Sequence, residues 1–504
     1  MKFNQTKNTT TNFLYGIFVR MIEIACPFAV RTIILYKLGA EYAGLTGLFT
    51  SILQILNVSE LGLSSAVSFC LYKPIAEDDR DTICALMNLL RRLYKIIGGF
   101  ILAAGICMMP FLPHLIHGSY PADMNIYILY LMYLTNAAVS YLGCAYQGVL
   151  FEAMQEGAAN YKISAIVNFI KYILQILALL VFANYYLYAL FLPMSTLVIT
   201  IMTGHKAKKQ HPDLMPCGKV SKETKNTIKR KVAFLSAHSL AGAMINSIDN
   251  IVLSSLMGLF ATAVYGNYFY IFSAVTNLML VAYRAVKPAI GNKLYTGSHE
   301  EQRFLFRVVQ YVSSWGTMWC AVCMLCLYQP FIKLWIGEKY LLDEVTMVMI
   351  VLYFYGNSIK LSLSGTYIDA AGLWEKTLLR EIIVAVLNLV MDISLVKIFG
   401  IAGVVFASLF ATVAVALPMD ITVICRYAIK EKTIEGLGRI LKNMILAVMI
   451  GIVCYGICRL LPFYGMKNFL LRGLVCMAMP NILMLLITGK SLEFDFLAKR
   501  ILRR

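Results

Sequence analysis

The sequence predicts an all-α polytopic membrane protein, and three observations predict it. Hydrophobic residues make up 60% of the 504 and charged residues only 14%, whereas a soluble globular chain carries roughly half and a quarter. Mean hydropathy is correspondingly high at +0.72. The apolar residues gather into runs of about 20 or more, the length an α-helix needs to cross a hydrocarbon core. The basic residues collect in alternate gaps between those runs, as topology signals do.

About fourteen candidate spans follow, near 12–36, 44–72, 93–115, 123–150, 163–183 and 186–204, then 232–257, 260–283, 305–329, 343–371, 379–397, 400–425, 442–460 and 469–488. Several exceed the minimum length, which predicts tilt or local breaks, with Gly47, Gly62 and Pro110 as break points. MKFNQTKNTTT leads straight into an apolar run, so the start reads as a first span and not as a cleavable signal peptide.

Charge orients the spans. One set of alternate loops carries Lys73, Arg80, Arg91 and Arg92, then Lys206 to Lys231, then Arg284, Lys287, Lys293 and Arg303, then Arg426 to Lys442, and finally the tail from Lys490 to Arg504. The other set holds little beyond Lys37, Lys333, Lys339, Lys397 and Lys467. Because Lys and Arg are retained inside, both termini are expected to be cytoplasmic, which an even number of spans satisfies. The net charge of +18 is thereby accounted for, and nucleic acid, which would need a folded basic domain, is not an expected partner.

The longest polar interruption, HKAKKQHPDLMPCGKVSKETKNTIKRK, suggests the organisation 1–205 as an N-terminal lobe, 206–231 as a cytoplasmic basic linker, 232–425 as a C-terminal lobe, and 426–504 as two further spans with a basic tail. A linker there lets two helical lobes move against each other, and its charge also suits anionic headgroups. A faint internal echo agrees: RTIILYKLG before AEYAGLTGLFTSIL corresponds to DNIVLSSLM before GLFATAVYGNYFYIF. Paired halves are common in secondary transporters, whose sites lie at the repeat interface.

Charges inside spans are costly and mark candidate sites. Arg20 and Arg31 in span one are about three turns apart on one face, roughly 16 Å, and Glu23 can partly neutralise Arg20. Lys171 and Lys360 are further buried cations. Together these four suit an anionic headgroup, Arg above all, because its planar fork matches phosphate oxygens. The competing reading makes Arg20–Glu23 a structural pair and lets Arg31 and Lys37 snorkel outward. Glu23, Glu60, Asp249 and Asp392 are read as ion-coupling or structural acids, and His238 as a packing residue before a proton relay.

No catalytic residue, cofactor or metal is expected. The thirteen cysteines are scattered through apolar stretches, and Cys320, Cys323 and Cys326 lie in an apolar helix with no His nearby. Gly489-Lys490-Ser491 resembles the end of a phosphate loop, but Met484 stands where the first Gly belongs, and no loop has room for a nucleotide domain, so direct ATP drive is not expected. The largest outer segment, around 330–343, is too short for the catalytic loop of a membrane glycosyltransferase or polymerase.

Four blocks resemble the bacterial polysaccharide repeat-unit (Wzx-type) flippases of the multidrug/oligosaccharidyl-lipid/polysaccharide (MOP) superfamily. They are 38–79 (LGAEYAGLTGLFTSIL through YKPIAEDD), 247–271 (SIDNIVLSSLMGLFATAVYGNYFYI), 330–342 (PFIKLWIGEKYLL) and 366–408 (TYIDAAGLWEKTLLREIIV through VVFAS). The resemblance implies two six-helix lobes in a V around a cationic cavity, two extra C-terminal helices, and an undecaprenyl-diphosphate-linked oligosaccharide as substrate. It also implies alternating access in a bacterial inner membrane, with a polysaccharide polymerase and assembly proteins as partners besides membrane lipid. Span-one arginines recur in such cavities, which again singles out Arg20 and Arg31. A multidrug antiporter of the same superfamily is the alternative, disfavoured because a cavity for cationic drugs should be dominated by acids. A membrane glycan polymerase is the enzymatic one.

Overall fold

The computed structural model describes residues 22, 24–118, 120–461 and 465–502. Arg20 and Glu23 lie outside the described residues, and for Glu60 only the backbone is described. Every regular element among the described residues is helical. The chain divides into two compact units, Met1–Ala263 and Val264–Arg504.

The first unit begins with α1 (24–37), which turns into α2 (Ala40–Leu56) through Gly39 at φ 114°, a backbone conformation that L side chains disfavour. The span expected at 44–72 is not one straight helix: α2 gives way at Asn57 to α3 (Val58–Glu77). The polar, weakly helical Asn at that junction competes with the backbone for hydrogen bonds. Asp79 caps α4 (Arg80–Leu115), its carboxylate accepting from the Thr82 amide at 3.0 Å. Asn125 likewise starts α5 (Ile126–Leu142) by accepting from Tyr127 and Ile128.

At Gly143 the path bends by 53° into α6 (Tyr146–Ala153). Then come α7 (Gly157–Val181) and α8 (Tyr185–Gln210), the latter capped by Asn184. The basic segment expected as an interruption is largely helical, since α8 runs to Gln210 and α9 (Lys222–Met257) begins only twelve residues later. Lys and Arg are good helix formers, so a span can extend beyond its apolar stretch. α9 packs along α2 and α3, and just beyond its end Gly44 of α2 lets the chain come close, because a Cβ there would sit 2.2 Å from the Leu259 carbonyl.

α10 (Leu259–Thr296) leads into the second unit and bends by 42° near Arg284. α11 (His299–Ile336) opens with a reciprocal box, Ser298 capping the Glu301 amide while Glu301 accepts from Ser298 N–H. α12 (Glu344–Ala371), α13 (Trp374–Phe399) and α14 (Ile401–Ile429) follow. Wide, π-helical turns interrupt α12 at Ser364–Ile368 and α14 at Ala411–Ala416 and Ile424–Ile429. α15 (Thr433–Arg459) and α16 (Gly465–Thr488) both pack on α11, and α17 (Leu492–Leu502) ends the chain.

Among the described residues nine helices are long and apolar enough to cross a membrane, and twelve if each of three bent pairs is one span. Large apolar side chains cover their outer faces: Val181, Phe182, Ile398, Leu474 and Leu486 are among the most exposed. Exposure on that scale is compatible with lipid and not with water. The chain is a multi-pass membrane protein.

Candidate functional site

In the first unit, buried polar groups gather where α1, α2, α5, α7 and α8 meet. Tyr185 donates its hydroxyl proton to the Tyr42 carbonyl at 3.1 Å, sits 3.2 Å from the Tyr133 hydroxyl, and shares a short hydrogen bond with Thr46. Arg31 on α1 faces this cluster, its charge acting on both Tyr185 and Tyr188. Its guanidinium also donates to the Ala263 carbonyl at 3.2 Å. Lys171 on α7 donates to Asn168 at 3.1 Å and lies 4.1 Å from the centroid of the Tyr172 ring. One turn on, Gln175 donates to the Tyr188 carbonyl at 3.2 Å, which ties α7 to α8. Three phenol hydroxyls, of Tyr133, Tyr185 and Tyr188, thus lie in the same region of the first unit as the cations Arg31 and Lys171.

In the second unit Lys360 stands among charges that sequence reasoning passed over. Arg380 on α13 pairs with its neighbour Glu381 at 2.8 Å and with Asp420 on α14 at 2.9 Å. The Ser364 hydroxyl on α12 donates to the other Asp420 oxygen. The charges of Glu381, Arg380 and Asp420 all act on Lys360. Asp420 is fully buried and Arg380 nearly so, an expensive state that persists only with excellent partners. The wide turns explain the geometry. Ser364 opens the one in α12, and Asp420 lies on the short stretch of α14 between two others, at positions where such turns re-aim side chains. A signal was present in the sequence: Asp420 lies well inside the apolar run 400–425.

Two other expected acids are buried elsewhere. Asp392 accepts from Asn388 at 3.4 Å, and the same amide donates to Ser408 on α14 at 3.2 Å, all three being buried. Asp249 is buried on α9 beside Asn250, which donates to Ser51 of α2 at 2.9 Å. Thus Arg31, Lys171 and Asp249 belong to the first unit, Lys360 and Asp392 to the second.

The second unit also carries an apolar groove of about 710 Å³ between α11, α12, α14 and α15, lined by Leu325, Val351, Phe406, Phe410, Val448 and Ile452.

No family model and no curated protein sequence matches the chain. Solved structures do. The lipid II flippase MurJ in an inward closed conformation superposes with a TM-score of 0.67 at 13% identity, covering 96% of this chain and 99% of that one. An inward-facing multidrug resistance transporter of the MATE family, MOP superfamily, gives a TM-score of 0.58 at 15% identity over 82% of this chain and 94% of its own. A Vibrio cholerae MATE transporter gives 0.58 at 14% identity, over 84% and 99%. The chain has the fold of the MOP transporters. At these identities the likeness is one of fold, so the chemistry of the chain must come from its own residues. Its interior holds cations in both units, Arg31 and Lys171 in one, Lys360 and Arg380 in the other.

Proposed function

We propose that this chain is a flippase that carries undecaprenyl-diphosphate-linked oligosaccharide repeat units from the cytoplasmic to the outer leaflet of a bacterial inner membrane, for surface polysaccharide synthesis. The observation that supports the proposal is a set of half-buried cations within membrane-spanning helices of a MOP fold, since a diphosphate brings negative charge that a hydrocarbon interior cannot otherwise hold. Arg31 and Lys171, with the tyrosine hydroxyls beside them, bind phosphate oxygens, and Lys360 adds a further cation. Arg20 is assigned the same role from the sequence. The lobes 1–205 and 232–425 alternate access across the linker 206–231, with both termini cytoplasmic. The sugar passes through the polar interior while the isoprenoid stays against apolar surface, for which the groove of the second unit offers a bed.

No bond is made or broken in this reading, so the protein needs no catalytic residue. Direction comes from an ion gradient, the membrane potential, or consumption of the glycan by a polymerase and assembly proteins. One charge moved across 100 mV is worth about 2.3 kcal/mol. Glu23, Glu60, Asp249 and Asp392 are the acids proposed for coupling or for support of the cations.

Depletion of the protein in its host, followed by mass spectrometry of undecaprenyl-linked sugars, tests the proposal. Accumulation of one complete repeat unit with loss of surface polymer is expected. An unchanged lipid-linked pool with altered drug sensitivity overturns it in favour of a multidrug antiporter, the reading that the buried acids and the MATE likeness would then support.

A further inference from the structure

Five of the chain's cysteines converge where α15 and α16 pack on α11. The spacing along any one helix does not show this, because Cys323 and Cys326 come from α11, Cys454 and Cys458 from α15, and Cys476 from α16. The thiols of Cys326, Cys458 and Cys476 lie within 4.8 Å of one another and all three residues are buried. Cys323 and Cys454 adjoin the trio, the Cys323 thiol reaching the Cys476 carbonyl at 3.8 Å and Cys454 lying one turn before Cys458.

The backbone around the thiols is fixed by a feature of the sequence. Pro480 has no N–H to give the carbonyl four residues before it, which is that of Cys476. That carbonyl is instead taken by the Trp319 indole N–H at 3.0 Å and the Cys323 thiol at 3.8 Å. Across the cluster the Arg472 guanidinium donates to the Cys326 carbonyl at 3.4 Å, and its charge acts on Cys458. The thiols therefore sit on helices whose register is locked by hydrogen bonds, with one cation close by.

We infer that Cys326, Cys458 and Cys476 form a three-thiolate site for a thiophilic d10 cation, Cu(I) in preference to Zn(II), that ties the two C-terminal spans to α11. Metal–sulfur bonds of about 2.3 Å separate three coplanar sulfurs by about 4 Å, so small side-chain rotations close the present spacing. Soft sulfur ligands select Cu(I) and Zn(II). Zn(II) asks for a fourth ligand that the trio does not supply, whereas Cu(I) is satisfied with three. Each coordinated thiol gives its proton to solvent, so complete formation releases about three protons, and the Arg472 charge offsets part of the negative charge left behind. Burial of all three sulfurs means that the ion is taken up before or as α16 packs on α11.

The test is the metal content of the full chain, purified anaerobically in detergent from copper-supplemented cells, in a background with the exposed Cys107 and Cys217 changed to Ser. One copper per chain that survives a Cu(I) chelator, together with a sulfur-to-metal absorption band, is expected. Cys458→Ser and Cys476→Ser are each expected to lose the copper and the band, and to show a Tm that copper supplementation no longer raises. Substoichiometric copper in the unsubstituted cluster overturns the inference, whatever the variants do. So does full retention in a properly folded Cys458→Ser/Cys476→Ser chain, as judged by a single gel-filtration peak.

Discussion

Two cations on neighbouring helices, Lys360 and Arg380, play opposite parts. Arg380 is nearly fully buried and pairs with Glu381 and Asp420, so its role is to keep two carboxylates in place. Removing one partner of such a group costs about 3–5 kcal/mol, because uncompensated charge remains buried. Arg380→Ala is therefore expected to lower Tm and abundance together, which a thermal shift assay and a membrane immunoblot would read. Lys360, among the described residues, makes no ion pair closer than 4.0 Å, so Lys360→Ala should leave abundance intact and reduce accumulation of surface polymer. Arg31 donates to the Ala263 carbonyl at 3.2 Å; if it also binds the diphosphate as proposed, Arg31→Ala should abolish transport with membrane insertion unchanged. A parallel loss of abundance would instead give Arg31 a structural role.

At the scale of elements, close packing depends on glycines whose neighbours cannot give way equally. A Cβ at Gly44 would meet the Leu259 backbone carbonyl at 2.2 Å, whereas one at Gly105 would meet the end of the Leu134 side chain at 2.3 Å. A side-chain end can turn aside and a carbonyl cannot, so Gly44→Ala should cost more than Gly105→Ala, within the roughly 1–3 kcal/mol of an overpacked site. Comparing the two midpoints in one detergent decides it. The start of α4 has a pH dependence of known sign. Hydrogen bonds from the Thr82 side chain and amide hold the Asp79 carboxyl below its usual range. A depressed folded-state pKa stabilises above the unfolded value, near 4, and the benefit disappears as pH falls through the folded one. Asp79→Ala should accordingly lower Tm at neutral pH and leave it little changed in strong acid.

The whole molecule makes its own prediction about sidedness. Cys217 lies exposed between α8 and α9, in the segment that basic residues assign to the cytoplasm. With Cys107 changed to Ser, a membrane-impermeant maleimide should label Cys217 in inside-out vesicles and not in intact cells or spheroplasts. Labelling of intact cells would reverse the orientation and, with it, the direction assigned to transport. At the same scale, the fold is shared with a lipid flippase and with drug transporters alike, so the fold alone does not choose between anionic and cationic cargo, and transport by the Arg31 and Lys360 variants is what decides.

The sequence by itself determined the class of molecule, because hydropathy and helix formation are local. Runs of about 20 apolar residues must be helices in lipid, where each backbone polar group has to find its partner within its own segment. It also marked single buried charges such as Lys360 and Asp392, since any charge in an apolar run stands out. It did not show which charges meet. Arg380 and Glu381 lay at the start of one apolar run and Asp420 inside another, and only the packing of α12, α13 and α14, two of them with wide turns, brought them together. The same holds for the thiols: Cys323 and Cys326 on one helix look like small hydrophobes, and only the packing of α15 and α16 adds Cys458 and Cys476. Partners more than a hundred residues apart are set by which helix faces pack together, and that depends on the shape of every side chain along both helices, which no local pattern records.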